Sequence, residues 1–191
     1  MMSDPDNTTE DSAPLRRVWY VLHVKPRTEK RVEGYLIHYG YFHYLPMRKK
    51  VVRVQRRKRT TFLPLFPGYV FTRLNPDERL TMLKTNLMVR MIPVDRPRPM
   101  IHQLRQVEHA LKAKPDLIPA ANTFHEGELV RIVSGPFRGL EGVVKRTNKS
   151  LSVVLNVEMI GSAIELTISP GDLEISPLQA QRAQAAAQSA G

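Results

Sequence analysis

The sequence predicts an α+β fold in which an N-terminal α/β sandwich is joined by a linker to a small five-stranded β-barrel of the SH3-like type. Residues 17–113 alternate strand-like and helix-like hydrophobic patterns in a βαβββαβα-like order, which is typical of a sandwich. Residues 126–176 instead hold short apolar runs separated by turn signals, which favours a small barrel. Residues 114–125 contain prolines and no hydrophobic periodicity, so they predict a linker.

The N-terminal elements follow from periodicity and from their end signals. Residues 19–24 are aromatic and β-branched, which predicts a strand. Apolar residues recur at helical spacing from Thr28, a candidate N-cap, to Gly40, a candidate C-cap. The other predicted elements are strands over 41–45, 69–71 and 87–92, helices over 77–85 and 101–113, and an extended basic hairpin with its tip near 54–58.

The C-terminal barrel is predicted from five apolar runs. These runs cover residues 129–133, 142–144, 151–155, 157–160 and 164–168. Residues 1–16 are polar and acidic and predict a disordered tail, since they have little to bury. The Gln/Ala-rich residues 177–191 are a second tail, to which the sequence assigns no function.

Positive charge is concentrated in one part of the chain. The formal net charge is +11, and no acidic residue occurs between Glu33 and Asp77. That stretch carries nine of the basic residues, most of them in the predicted hairpin. A one-signed block of this density favours contact with a polyanion, and nucleic acid is the usual one. The alternative is a solvated hairpin that only aids solubility.

Several classes of function find no support in the sequence. There is no cysteine, so disulfides and thiolate chemistry are excluded and a reducing cytoplasm is expected. No apolar run has the length of a membrane span, and no signal peptide is recognisable. The six histidines are scattered, and no phosphate-binding glycine loop or zinc motif occurs. We therefore expect no enzyme activity, no metal, no cofactor and no membrane contact.

Two motifs resemble those of one protein family. Residues 126–144, with the Gly135-Pro136 turn followed by Phe137, Gly139 and Gly142, resemble the KOW motif. The Trp19-Tyr20-Val21-Leu22 segment and the later Pro64-to-Phe71 segment resemble the signature of the NusG N-terminal (NGN) domain. In order and spacing the chain is similar to the NusG family over about residues 17–176. The Pro64-Leu65-Phe66-Pro67 segment and the basic segment before it resemble the specialised RfaH-like branch more than housekeeping NusG.

The resemblance implies a transcription elongation factor. NGN domains of this family bind the clamp helices of RNA polymerase through an apolar pocket, onto which Phe66, Tyr69 and Phe71 map. From the residues alone, all three remain candidates for plain core packing, since aromatic residues on strands are usually buried.

The resemblance also implies a nucleic-acid contact, with non-template DNA or nascent RNA as the ligand. The matching positions beside the first helix are Lys25, Arg27, Arg31 and His38. The concentration of positive charge adds four residues of the basic hairpin to the candidates for nucleic-acid contact: Arg56, Arg57, Lys58 and Arg59. Any one of these residues is equally consistent with an ordinary solvated surface position. The His-Thr-Thr element of the family is replaced here by Leu80-Thr81-Met82, so the histidine is missing.

In the family, a KOW-domain loop contacts the termination factor Rho or the ribosome. The matching loop contains Met159, Ile160 and Gly161, with Ile160 where a phenylalanine is usual. A specialised antiterminator and a housekeeping NusG that links polymerase to Rho or the ribosome both remain open. A KOW-containing ribosomal or RNA-binding protein is the alternative from another class. The protein is expected to be a monomer.

Overall fold

The computed structural model describes residues 16–54, 57–120, 127, 129–146 and 151–175. The helices are α1 (Glu29–His38), α2 (Pro76–Lys84) and α3 (Pro97–Ala113). The strands are β1 (Val18–Val24), β2 (Phe42–Tyr44), β3 (Met47–Val54), β4 (Arg57–Pro64), β5 (Tyr69–Leu74), β6 (Met88–Pro93), β7 (Pro119–Ala120), β8 (Leu129–Ile132), β9 (Glu141–Arg146), β10 (Leu151–Val157), β11 (Ser162–Thr167) and β12 (Leu173–Ile175). The predicted α+β class is confirmed.

The N-terminal domain is an α/β sandwich in which helices pack on both faces of one sheet. Four antiparallel strands pair in the order β2-β5-β1-β6. Side chains alternate along these strands, so Leu22 and Val70 pack with α1 and α2, whereas Val21 and Phe71 join the cluster that contains α3. The middle of each sheet face is thereby removed from water.

The predicted basic hairpin is present as a separate two-stranded sheet. Strands β3 and β4 pair antiparallel from Met47 opposite Pro64 to Val54 opposite Arg57. Two backbone hydrogen bonds hold its root: Leu65 N–H donates to the Pro46 carbonyl at 2.7 Å, and Lys49 N–H donates to the Pro115 carbonyl at 2.6 Å. The predicted tip at 54–58 lies partly outside the described residues. We call β3 and β4 the basic arm.

Helix α2 and the start of β1 are tied together by one carboxylate. Asn75 and Glu78 form a reciprocal capping box, with hydrogen bonds of 2.8 and 2.9 Å that satisfy two backbone N–H groups. The same Glu78 accepts hydrogen bonds from Arg17, at 2.5 Å from Nη2 and 3.0 Å from Nε. These bonds, with the Asn75 backbone bond, lower the pKa of Glu78 against an opposing effect of burial.

The C-terminal β-domain (residues 129–146 and 151–175) is antiparallel, and its strands pair in the order β12-β8-β9-β10-β11-β7. The glycines of the KOW turn behave as predicted. Gly135 and Gly139 have φ of +75° and +90°. A Cβ on Gly142 would lie 2.6 Å from the Val154 carbonyl oxygen, so the strand pairing requires glycine there.

Three details differ from the sequence-based expectation. The predicted strand over 157–160 is wrong, because β10 ends at Val157 and a 3₁₀ turn over Glu158–Ile160 follows. The fifth strand of the β-domain is instead β12. Helix α3 begins at Pro97 rather than at residue 101, since proline is well accommodated in a first helical turn.

Part of the predicted linker 114–125 belongs to the folded structure. Leu117 is buried in the core, and Pro119–Ala120 forms β7, which pairs with Ala163 and Ile164 of β11. Residues 121–125 lie outside the described residues. The pairing of β7 brings the β-domain against α3, which packs on β10.

Candidate functional site

One face of the N-terminal sheet carries the candidate site, because the polymerase-binding residues suggested by sequence all lie on or beside it. Trp19, Val21 and His23 of β1 share this face with Tyr69 and Phe71 of β5. Helix α3 covers its middle, so the face is accessible at two ends.

At one end of this face, His23 and Tyr69 are cross-strand partners whose rings stack. Their centroids are 5.1 Å apart and their planes differ by 19°. Both side chains are half-buried, so each presents one side to solvent. The pair is therefore a preformed aromatic surface at the edge of the sheet.

The turn before Tyr69 is held by a buried carboxylate. Gly68 has φ of +84°, which favours glycine, and its carbonyl accepts a 2.8 Å hydrogen bond from Val24 N–H. Its own N–H donates to Glu29 Oε1 at 2.7 Å. Glu29 is buried in the first turn of α1. These two hydrogen bonds attach the turn to β1 and to α1, and they fix the position of Tyr69 at the start of β5.

The structure buries two of the three predicted pocket aromatics. Phe66 is 1% exposed and Phe71 is 0% exposed, and both belong to the cluster that contains α3. Neither ring forms an accessible wall in this arrangement of the chain. Tyr69 alone is partly exposed. Their predicted role in polymerase binding stays a prediction, with Tyr69 the member that is positioned for direct contact.

At the other end of the same face lies an apolar hollow of about 390 Å³. Its lining residues come from β1, β2, β5 and α3, and they are Trp19, Phe42, Tyr44, Arg73, Ile101, Leu104, Arg105 and Glu108. Trp19 and Phe42 meet edge to face with centroids 5.2 Å apart. Phe42 is 53% exposed, an unusual position for so large an apolar ring.

The lining of the hollow includes the charged side chains of Arg73, Arg105 and Glu108 and the hydroxyl of Tyr44. Burial raises the pKa of Tyr44 well above its usual range, and the charge of nearby Glu108 adds to the effect. Tyr44 consequently keeps its proton at all physiological pH values and contributes a neutral hydroxyl to the lining of the hollow. Sequence reasoning missed this hollow. The available signal was the alternation of Phe42 and Tyr44 on one short strand.

The candidate nucleic-acid residues fall into two separate groups. Lys25, Arg27, Arg31 and His38 are all exposed along α1 and the turn before it. The basic arm exposes Arg57, Lys58 and Arg59, whereas Arg56 lies outside the described residues. The first group lies on the side of the sheet covered by α1, opposite the face that carries Trp19 and Tyr69. The structure therefore does not gather all predicted cations into one patch.

The predicted partner loop of the β-domain faces α3. Met159 and Ile160 are partly buried against the hydrophobic cluster, and Gly161 adopts the left-handed conformation at φ +60°. Glu158 N–H donates to the Gln103 side-chain oxygen at 3.2 Å. In this arrangement the loop is beside the N-terminal domain, and Ile160 supplies an apolar surface.

Helix α3 separates the β-domain from the hollow. Ile101, Leu104 and Glu108 line the hollow at helical spacing. Gln103 and Gln106, on another side of the helix, face the β-domain, where Gln106 accepts a 2.8 Å hydrogen bond from Glu141 N–H. No residue of the described β-domain lines the hollow. Docking of the β-domain on α3 therefore leaves the hollow accessible.

None of the helices in the described part of the chain is both long and apolar enough to cross a membrane. Across the described ranges, no three His, Asp or Glu side chains cluster in a way that suits a metal ion.

Comparison with known proteins agrees with this architecture. The family model described as transcription termination factor NusG matches residues 17–122, and the KOW motif model matches residues 126–156. A transcription termination/antitermination protein NusG from Haemophilus influenzae is 24% identical over 87% of this chain and 98% of its own. The protein of that name from Pseudomonas aeruginosa is 28% identical over 86% of this chain and 99% of its own.

Two further likenesses have narrower coverage or weaker superposition. NusG from Thermus thermophilus is 26% identical over 68% of this chain and 82% of its own. A crystal structure of the MjSpt4:Spt5 complex covers 82% of this chain and 95% of the matched chain at 16% identity. Its TM-score is 0.27, which does not establish a common overall arrangement.

An NGN-type α+β domain followed by a KOW-type β-domain defines a class of transcription termination and antitermination factors. Since the family model spans more than half of its residues, this chain belongs to the NusG family.

Proposed function

We propose that this protein is a transcription elongation factor that binds the clamp helices of RNA polymerase through its N-terminal domain. In this proposal it modulates pausing and termination as a specialised antiterminator. The observation that carries the proposal is the stacked His23–Tyr69 pair, which shares one sheet face with an open apolar hollow. A helical partner that passes beside α3 would meet the stacked aromatic pair at one end of the face and the hollow at the other.

The dimensions of the face suit such a partner. Trp19 and His23 are four residues apart on β1, or about 13 Å at the rise of an extended strand. Two successive turns of an α-helix span about 11 Å, so apolar side chains of one helix face can reach both ends. Grooves for amphipathic helices are recognised through anchors spaced in this way. The hollow of about 390 Å³ is large enough for one such anchor.

Apolar contact alone gives a modest affinity. Burial of two or three large side chains gains roughly 3–9 kcal/mol, whereas association costs on the order of 4–15 kcal/mol. An electrostatic contribution is therefore needed. The exposed cations of α1 and of the basic arm can supply it through non-template DNA or nascent RNA. Contact with about four phosphates of a single strand gives a slope near −2.8 in log K against log salt.

Ile160 favours the specialised role over the housekeeping one. At the loop position where an aromatic residue is usual in the family, this chain has a branched aliphatic side chain that lacks a flat stacking surface. We therefore propose weak recruitment of Rho, with ribosome binding retained as a function of the β-domain. The protein acts by binding, without catalysis.

A housekeeping NusG is the second candidate, favoured by the relatives that carry this name. Transcription in vitro across a Rho-dependent terminator separates the two. The proposed antiterminator increases read-through when the full chain is added to polymerase and Rho. Enhanced termination would identify the housekeeping role instead.

The same preparation tests the proposal against a ribosomal role. A polymerase factor co-purifies with RNA polymerase, whereas a ribosomal protein follows ribosomal subunits through high salt. Fractionation of cell extract on both criteria gives opposite results for the two classes. Association with subunits alone contradicts the proposed function.

A further inference from the structure

The basic arm has two chemically different faces. Because side chains alternate along paired strands, Lys49, Val51 and Arg53 lie on one face with Lys58 and Phe62 of the partner strand. We call this the aromatic face. The opposite face carries Arg48, Lys50, Arg57 and Arg59 and no aromatic residue. Both faces are cationic, so charge alone does not distinguish them.

Phe62 is exposed although it belongs to a strand. It is 52% exposed, as is Val51, its diagonal neighbour on the aromatic face. Its direct cross-strand partner is Lys49 rather than an apolar residue. Within the described residues its ring stacks on no other aromatic ring. The ring thus offers a free π-face to a ligand.

The cationic side chains around Phe62 are likewise available to a ligand. Among the described residues, the side chains of Lys49, Arg53 and Lys58 form no salt bridge and no hydrogen bond. Lys49 lies directly opposite the ring, and Arg53 pairs with Lys58 nearer the tip. Lys58 is four residues from Phe62, or about 13 Å along the strand. The face therefore presents a stacking platform followed by a row of positive charge.

We propose that the aromatic face of the basic arm binds single-stranded nucleic acid, with a base stacked on Phe62 and the backbone phosphates following Lys49, Arg53 and Lys58. Such sites combine a cationic track with an aromatic platform, and stacking is tolerant of base identity. A base-paired duplex has no free base face for the ring. Double-stranded nucleic acid can meet the cations only, and it does so on either face.

The proposed site contacts bases by stacking and phosphates by charge, and it has few groups that could distinguish ribose from deoxyribose. Thr60 is the one hydroxyl-bearing residue on the described aromatic face, and no amide side chain accompanies it there. We therefore expect single-stranded DNA and RNA to bind alike. This inference develops the proposed nucleic-acid contact, but it needs no polymerase, so it stands or fails separately from clamp binding.

Fluorescence anisotropy of the full chain without polymerase tests the inference. The probes are oligo(dT), oligo(U) and a mixed-sequence DNA duplex, each of about twelve nucleotides or base pairs. Phe62→Ala is expected to weaken both single strands at least about fivefold, while duplex binding stays within about twofold. Phe62→Trp should retain single-strand binding. Unchanged affinity of Phe62→Ala for the single strands overturns the proposal, as does a preference for RNA alone.

Matched charge variants separate the two faces. The double variant Lys49→Gln, Lys58→Gln removes two charges from the aromatic face, and Lys50→Gln, Arg59→Gln removes two from the other. The first is expected to reduce the single-strand salt slope by about 1.4, at about 0.7 per phosphate contact, and the second to change it less. Equal reductions by both variants overturn the face assignment. Phe62→Leu, with an apolar side chain but no ring, should resemble Phe62→Ala, and thermal melting verifies that each variant is folded.

Discussion

The carboxylate of Glu29 and the backbone N–H of Gly68 are joined by a 2.7 Å hydrogen bond across 39 residues of sequence. The bond connects the first turn of α1 to the turn that precedes Tyr69. Glu29 is 6% exposed, and removal of its carboxylate leaves the half-buried N–H of Gly68 without its acceptor. Glu29 therefore positions the stacked His23–Tyr69 pair, although its own side chain is not part of that pair.

Glu29→Ala is expected to lower the free energy of unfolding by about 1–3 kcal/mol and to weaken polymerase binding. Glu29→Gln retains an amide oxygen at the same place and should restore most of both. Titration of each folded variant with core polymerase, together with a urea melt, measures the two effects. If Glu29→Ala binds polymerase as tightly as the original chain, the turn does not position the binding surface.

Tyr69→Ala is the cleaner test of the polymerase contact, because Tyr69 is partly exposed. Loss of an aromatic anchor costs about 2 kcal/mol or more of binding free energy, roughly a thirtyfold rise in Kd. Tyr39→Ala, which removes an exposed tyrosine near the end of α1, is the matched control and should bind normally. Equal binding by both variants contradicts the role of Tyr69.

Phe66→Ala is expected to act differently. At 1% exposure the ring is part of the core, and its removal costs about 3–5 kcal/mol of stability. Loss of polymerase binding by this variant would then follow from unfolding. A urea melt beside the binding titration distinguishes the two, and a stable Phe66→Ala protein with no binding would place Phe66 in the contact itself.

The contrast between Tyr69 and Phe66 illustrates the limit of sequence reasoning. Alternation along β5 correctly placed Tyr69 and Phe71 on one face and Val70 on the other. It did not determine what covers that face, since α3 reaches it from some 30 residues further along the chain. Local periodicity predicts which residues share a face, whereas exposure depends on long-range packing.

The hollow and the partner loop show the same limit. The walls of the hollow come from four elements that are distant in sequence, so no local motif predicts it. Residues 157–160 have the composition of a strand, yet Gly161 at φ +60° ends a 3₁₀ turn there. Gly135 and Gly139, by contrast, were predicted correctly because their positive φ is a local backbone constraint.

A pH-dependent effect is expected at Glu78. Hydrogen bonds from Arg17, together with the Asn75 backbone, lower its folded-state pKa, so the carboxylate stabilises the fold above the ordinary glutamate pKa of about 4.3. This stabilisation is lost as pH falls below that value and through the lower folded-state pKa. At neutral pH, Glu78→Gln should weaken the cap by about 1 kcal/mol and reduce Tm by about 2–4 °C.

The difference in Tm between Glu78→Gln and the original chain should shrink toward zero in strong acid. Calorimetry at neutral pH and at several acid values measures it. Glu33→Gln on α1 also removes one carboxylate but no hydrogen bond described here, and it should change Tm little at any pH. A difference for Glu78→Gln that is independent of pH would contradict the assignment.

The attachment of the β-domain to α3 is predicted to depend on two glutamines that are one helical turn apart. Gln103 and Gln106 each accept a hydrogen bond from a β-domain backbone N–H, at 3.2 and 2.8 Å. Since each such bond contributes about 0.5–1.5 kcal/mol, Gln103→Ala with Gln106→Ala should shift the β-domain toward a released state without unfolding either domain. Amide hydrogen exchange at Glu141 and Glu158 should then increase at least about fivefold. His109→Ala, on an exposed position of the same helix, is the control that should leave exchange unchanged.

Because the hollow has no β-domain residue in its described lining, release of the β-domain should leave polymerase binding nearly constant. A large gain in affinity on release would show that the β-domain obstructs the site, against the geometry described above.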